Sequence, residues 1–366
     1  MAYTTIDDPT KYFDITLWTG TGGARTISGL NHKPDLIWTK TRSVAYNHMW
    51  SDSTRGFNAN SEIGSNSDAA EGGLSAETYG YKSGHTSDGW TMVDGTDTVD
   101  SQEDGNTNQP SVTYVGWTWA ANGGTTSSNN DGDYTSTVQA NTTAGFSIVK
   151  YGDATSFSAS TPATVGHGLG KVPKWIVIKN LDGTRDWGVH HAGLTDAQKI
   201  IYLNLTNAEA NSSGFMNSTA PTSSVFTVNT LNVANGNNLE YIAYCWAEIQ
   251  GYSKFGSYTG NGSEDGPFVY LGFKPKWILF KNRGAAEEWV LQDTTRDTDN
   301  PITKNFRIDA SSAEADASAL DIDFLSNGFK NRSDNAQLNS NGVEYIYMAF
   351  AEHPFVSSEG VPVTAR

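Results

Sequence analysis

Three stretches of the chain repeat one pattern, and that pattern limits what it can fold into. They are Lys33-Pro34-Asp35-Leu36-Ile37-Trp38-Thr39-Lys40, Val172-Pro173-Lys174-Trp175-Ile176-Val177-Ile178-Lys179 and Lys274-Pro275-Lys276-Trp277-Ile278-Leu279-Phe280-Lys281. In each, a Pro opens a run of large apolar residues and a Lys closes it six positions later. Proline fixes φ and cannot donate to a ladder, so it suits the start of a strand. The residues after it favour a buried strand. A second element follows each first: Tyr114 to Ala120, Tyr241 to Ala247 and Tyr345 to Ala351, with an aromatic at the sixth place and Ala at the seventh. Between them stands a Trp: Trp50, Trp187 or Trp289. Asp52-Ser53-Thr54-Arg55 matches Asp293-Thr294-Thr295-Arg296, and the second copy lacks this motif.

One shared Pro or Tyr would carry no weight. Several elements in one order, three times over, point to duplication. The spacing from Pro34, Pro173 and Pro275 to Tyr114, Tyr241 and Tyr345 is that of a small domain, longer than the roughly 20–50 residues of a solenoid repeat. The expected fold is all-β, three tandem homologous β-sandwich domains of jelly-roll or concanavalin-like type, each with its own core. The expected boundaries are an N-terminal arm at 1–12, a first repeat with an insertion at 13–124, a linker at 125–133, further repeats at 134–251 and 252–354, and a tail at 355–366. Thr195-Asp196-Ala197-Gln198-Lys199 is the best helix candidate, and it is short.

Charge narrows the function. Forty Asp and Glu stand against 24 Lys and Arg, a formal net charge of −16. Nucleic-acid binding needs clustered cations, so that class is set aside, as is an anionic membrane surface. No apolar run approaches the roughly 20 residues of a membrane span, so membrane insertion is not expected. The first residues lack the basic and apolar regions of a signal peptide. The one cysteine, Cys245, sits in a strand pattern and reads as a buried structural thiol.

No nucleophile elbow, phosphate loop or zinc spacing is present, so no catalytic residues and no cofactor are expected. Asp94, Asp97 and Asp100 form an acidic, glycine-containing loop that is a weak calcium candidate against the commoner solvated turn. His190-His191 reads as a loop or edge pair. The recurring Trp, Tyr and Pro are packing residues first. Any aromatic that faces outward can stack on a sugar or a partner protein, and Trp18, Trp50 and Trp90 are the candidates.

The opening Met1-Ala2-Tyr3-Thr4-Thr5-Ile6-Asp7-Asp8-Pro9, Tyr241-Ile242-Ala243-Tyr244-Cys245-Trp246-Ala247-Glu248, Gly272 to Lys281, and Met348-Ala349-Phe350-Ala351-Glu352 carry a family resemblance. The chain resembles virion structural proteins of marine tailed bacteriophages, including phages of cyanobacteria. The resemblance covers essentially the whole chain and brings no assigned site residue. It implies a non-enzymatic component of the virion exterior, a fibre or head-decoration protein, assembled in the host cytoplasm. The partners it implies are other virion proteins of capsid or tail, in a symmetric homo-oligomer such as a trimer or a capsid-bound array. Two alternatives stay open: a tail adhesin that recognises a host surface glycan, and a glycan-degrading tailspike.

Overall fold

The computed structural model describes residues 3–97, 105–316 and 318–363. Among them are 27 strands, with two four-residue helices, Ala76–Tyr79 and Ser213–Met216. The architecture is all-β, built from antiparallel sheets. Thr195–Gln198 is a turn that leads into a strand at Lys199, not a helix.

The strands fall into three groups along the chain. The first holds β1 (Phe13–Thr19), β2 (Arg25–Ile27), β3 (Leu36–Thr41), β4 (Met49–Asp52), β5 (Ile63–Gly64), β6 (Tyr81–Thr86), β7 (Gly89–Val93) and β8 (Thr113–Trp119). The second holds β9 (Ser127–Asn129), β10 (Ser136–Asn141), β11 (Phe146–Gly152), β12 (Ala163–Gly166), β13 (Pro173–Asn180), β14 (Gly188–His191), β15 (Lys199–Tyr202), β16 (Ala210–Asn211), β17 (Val225–Val228) and β18 (Glu240–Ala247). The third holds β19 (Ser253–Thr259), β20 (Phe268–Tyr270), β21 (Phe273–Asn282), β22 (Val290–Asp293), β23 (Lys304–Arg307), β24 (Ala315–Asp316), β25 (Ile322–Leu325), β26 (Gly328–Asn331) and β27 (Glu344–Pro354).

Each group makes one large and one small sheet. The large sheets run β1-β8-β3-β4-β5, β11-β18-β13-β14-β15-β16 and β19-β27-β21-β22-β23-β24, so one strand order recurs three times. The second is extended at its β11 edge by β10 and β9, and β9 lies in the segment of linker composition. The small sheets are β2-β7-β6, β12-β17 and β20-β26-β25. Each small sheet shares an apolar cluster with one face of its own large sheet, as Ile27, Trp90 and Met92 do with Trp18, Ile37 and Tyr114. Corresponding clusters form around Val165 and Phe226, and around Ile322 and Phe329.

The recurring Pro occupies three different places. Pro34 precedes β3, Pro173 opens β13, and Pro275 is the third residue of β21. The register shifts at both Pro173 and Pro275, so each proline sits at a bulge where a missing N–H costs no ladder bond. The recurring Tyr has one role throughout. Tyr114, Tyr241 and Tyr345 are fully buried, and each hydroxyl donates to a carbonyl nine residues upstream, at Gly105, Asn232 and Ala336. Each ring also stacks on its partner in the neighbouring strand, Trp18, Tyr151 or Tyr258, with centroids 5.0–5.1 Å apart.

The expectation of a separate core for each group is only half of the arrangement. The other faces of the three large sheets meet in a single cluster. It contains Trp38, Trp50, Trp117 and Trp119 from the first, Trp175, Trp187 and Trp246 from the second, and Trp277, Trp289 and Phe350 from the third. Strands buried on both faces read as continuous apolar runs rather than alternation, which is why β3, β13 and β21 carry them. The N-terminal arm closes onto this assembly: Ile6 joins the shared cluster, and the Tyr3 hydroxyl donates to the Gly272 carbonyl at 2.9 Å.

Candidate functional site

The titratable and hydrogen-bonding residues that recur in the sequence converge on the seams between the large sheets. The strand registers set the correspondence. Leu36, Trp175 and Trp277 pair with Asp52, His191 and Asp293. Counting back four residues puts His48, not Trp50, in line with Trp187 and Trp289. Each of these rings donates to the same position in the preceding large sheet. His48 Nε2 bonds the Arg307 carbonyl at 3.3 Å, Trp187 Nε1 the Gly64 carbonyl at 3.0 Å, and Trp289 Nε1 the Tyr202 carbonyl at 2.9 Å. Thus the first sheet reaches the third, the second the first, and the third the second. The ring of contacts is closed.

The recurring Lys follows the same cycle. Lys40, Lys179 and Lys281 are buried, and their ammonium groups donate to carbonyls across the seams, at Ser311 (3.2 Å), Asp68 (2.9 Å) and Thr206 (2.6 Å). Burial pushes Lys40 down to about 7 and Lys179 and Lys281 down to about 8. A backbone bond completes each seam: the N–H groups of Glu314, Glu71 and Glu209 donate to the carbonyls of Arg42, Leu181 and Arg283.

The Asp-x-x-Arg motif belongs to two of these seams. Asp293 Oδ1 accepts from the N–H groups of Thr295 and Arg296, and Oδ2 accepts from Arg296 Nε at 2.6 Å. The same Oδ2 accepts from Trp117 Nε1 of the first sheet at 3.1 Å. Arg296 reaches Glu314 at 3.0 Å, and Arg42 of the first group holds both Glu314 oxygens at 2.8 and 2.9 Å. Asp52 repeats this with Arg55 at 2.5 Å and with the Tyr244 hydroxyl of the second sheet at 2.8 Å; Arg55 then reaches Glu71. Both carboxylates are fully buried and fully paired, as buried charge requires.

In the third seam His191 takes the aspartate's place. Trp117 and Tyr244 correspond to Met348, which has no donor. His191 supplies its own: Nε2 donates to the Tyr347 carbonyl at 3.1 Å, and Nδ1 accepts from Gly193 N–H at 2.9 Å. Burial lowers its pKa to about 3 and that of His190 to about 4, so both stay neutral. The pair therefore lies in the buried strand β14, not in a loop or at an edge.

The expected aromatic candidates are core residues. Trp50 and Trp90 are fully buried and Trp18 nearly so, which leaves no ring face for a sugar. Trp18 stacks on Tyr114, Trp50 packs against Trp187 and Tyr244, and Trp90 fills the space over Gly116. Of the calcium candidates, Asp94 and Asp97 are described and Asp100 lies outside the described residues. Among the described residues no three His, Cys, Asp or Glu side chains are grouped to hold a metal ion. Cys245 is a buried free thiol whose pKa burial raises.

Two surface features stand out among the described residues. A cleft of about 630 Å³ is lined by Lys274, Thr298, Asp299, Asn300, Glu352 and His353, and Lys274 is paired with Glu352 at 2.9 Å. On β20, Phe268 and Tyr270 are each 47% exposed. The sequence carries no sign of their exposure, because Phe268-Val269-Tyr270 has the pattern of any short strand.

Residues 8–354 match the model of a family described as Domain of unknown function (DUF7483). The chain belongs to that family. No curated protein and no solved structure matches it. The DUF7483 match begins just before β1 and ends with β27, so one family unit takes in all three large sheets and all three seams.

Proposed function

We propose that this DUF7483 protein is a non-enzymatic structural protein on the exterior of a tailed-phage virion, a fibre or head-decoration component that works through protein–protein assembly. In this reading its three groups of strands are diverged copies of one β-sandwich domain, of jelly-roll or concanavalin-like type. One observation carries the proposal. The polar residues that recur in the chain, Lys40, Lys179 and Lys281 with Asp52, His191 and Asp293, are buried in the seams and hold one sheet to the next. Such a chain invests its chemistry in a block of defined shape, which is what a particle component needs. Its partners are other virion proteins in a symmetric array, and it is assembled in the host cytoplasm. Mass spectrometry of purified particles, followed by a density map searched for this chain, tests it. Copies on the head lattice or tail support the reading; absence from purified particles ends it.

A second reading, a receptor-binding adhesin, is favoured by the exposed Phe268 and Tyr270. Among the described residues they form an outward aromatic pair in one group of strands. Binding of the purified protein to host cells tests that role.

A further inference from the structure

We propose that Phe268 and Tyr270 form the platform of a saccharide-binding site, taking neutral hexose or N-acetylhexosamine units. The proposal rests on the adhesin reading and gives it a location. The two residues alternate on β20 with the inward-facing Val269, so both rings leave the same face of the small sheet, roughly 7 Å apart along the strand. The corresponding strands of the other small sheets, Arg25-Thr26-Ile27 in β2 and Ala163-Thr164-Val165-Gly166 in β12, carry no aromatic residue. In a chain that buries all of its described tryptophans, two exposed rings side by side are an exception to the packing rule.

The platform is preorganised. Lys254 donates to the Tyr270 carbonyl at 2.8 Å and places its ammonium 5.5 Å from the ring centroid. The Tyr270 hydroxyl lies 3.2 Å from that of Tyr3, which is itself anchored to the Gly272 carbonyl. A ring fixed at both ends loses little entropy when a ligand stacks on it. Opposite Tyr270 in the register is Gly328, which has no side chain to cover it. Opposite Phe268 is Lys330, paired with the exposed Asp265 at 2.7 Å. Apolar ring faces flanked by an ammonium, a carboxylate and a phenol match the two sides of a pyranose, its C–H face and its hydroxyl rim. The net charge of −16 disfavours acidic glycans, which selects neutral ones.

The test is calorimetric titration of the full chain with maltohexaose, cellohexaose and chitohexaose, alongside binding to host cells before and after periodate oxidation of surface sugars. Phe268→Ala and Tyr270→Ala should each weaken saccharide binding about two- to tenfold, and the double variant by about the product. Leu17→Ala, at an exposed apolar residue on β1, should leave it unchanged, and all four variants should keep the wild-type unfolding midpoint. Cell binding by the wild type that survives periodate, or that the double variant retains, overturns the site while leaving the adhesin reading in place. No cell binding by the wild type ends the adhesin reading. Failure of all three saccharides to bind overturns the site.

Discussion

The seam between the third and first large sheets and the seam between the second and third share one geometry and differ in chemistry. The first is ionic: Asp293 joins Arg296 and Trp117, and Glu314 joins Arg296 and Arg42. The second has no carboxylate–arginine pair at the matching position: His191 bonds a backbone carbonyl, Leu194 stands where Arg296 does, and Glu209 accepts from Thr195. The two differences lie close in space, since His191 bonds the carbonyl of Tyr347, next to Met348. A buried carboxylate needs a donor from the next sheet, and Trp117 or Tyr244 supplies it. Where that residue is Met348, the carboxylate is gone and an imidazole brings its own N–H. Backbone position is thus common to the seams, while the side chains settle locally how the buried polar groups are satisfied.

The largest effect should come from breaking the ionic seam. Arg296→Ala takes the guanidinium away from the fully buried Asp293, while Glu314 keeps Arg42, and should cost about 3–5 kcal/mol in urea denaturation. Arg296→Lys should recover little, because the fork that serves both acids is lost. In the second seam, His191→Asp buries a carboxylate with neither an Arg at 194 nor a donor at 348 and should cost roughly 2–3 kcal/mol. Adding Met348→Tyr should restore part of it, with a coupling energy of about 0.5–3 kcal/mol in a double-mutant cycle. Additive single effects would refute the link between the two positions.

Smaller still, Tyr345→Phe removes a hydroxyl that donates to Ala336 and accepts from Ser340 N–H, and about 1–2 kcal/mol should follow. Tyr241→Phe should fall at the low end of that range, since it shares the nine-residue bond without the second one. The smallest change at neutral pH, within about 1 kcal/mol, is expected of Lys281→Met, whose effect lies in the pH profile. Lys281 falls from an ordinary 10.5 to about 8 in the folded chain, so between those values the unfolded chain binds more protons. Stability should therefore rise as pH climbs from about 8 toward 10, and Lys281→Met should flatten that slope. On the acid side His190 and His191, lowered from 6.5, make stability fall as pH drops below about 6.5. Thermal midpoints across pH, for wild type and variant, check both limbs.

The sequence by itself determined the all-β class, the three recurring strands and the Tyr that ends each recurrence, because these rest on local rules: apolar runs, turn residues, and a hydroxyl bonded nine residues upstream. The platform of Phe268 and Tyr270 left no such signal, since exposure is not a local property. Tertiary structure alone decided that the large sheets share a core, that His48 rather than Trp50 corresponds to Trp187 and Trp289, and that the Asp-x-x-Arg motif is a seam. Those outcomes depend on partners far away in the chain: Tyr244 stands 192 residues from Asp52, and Trp117 stands 176 from Asp293. A periodic pattern tells a residue which face it occupies; only the closing of one sheet against another tells it what it meets there.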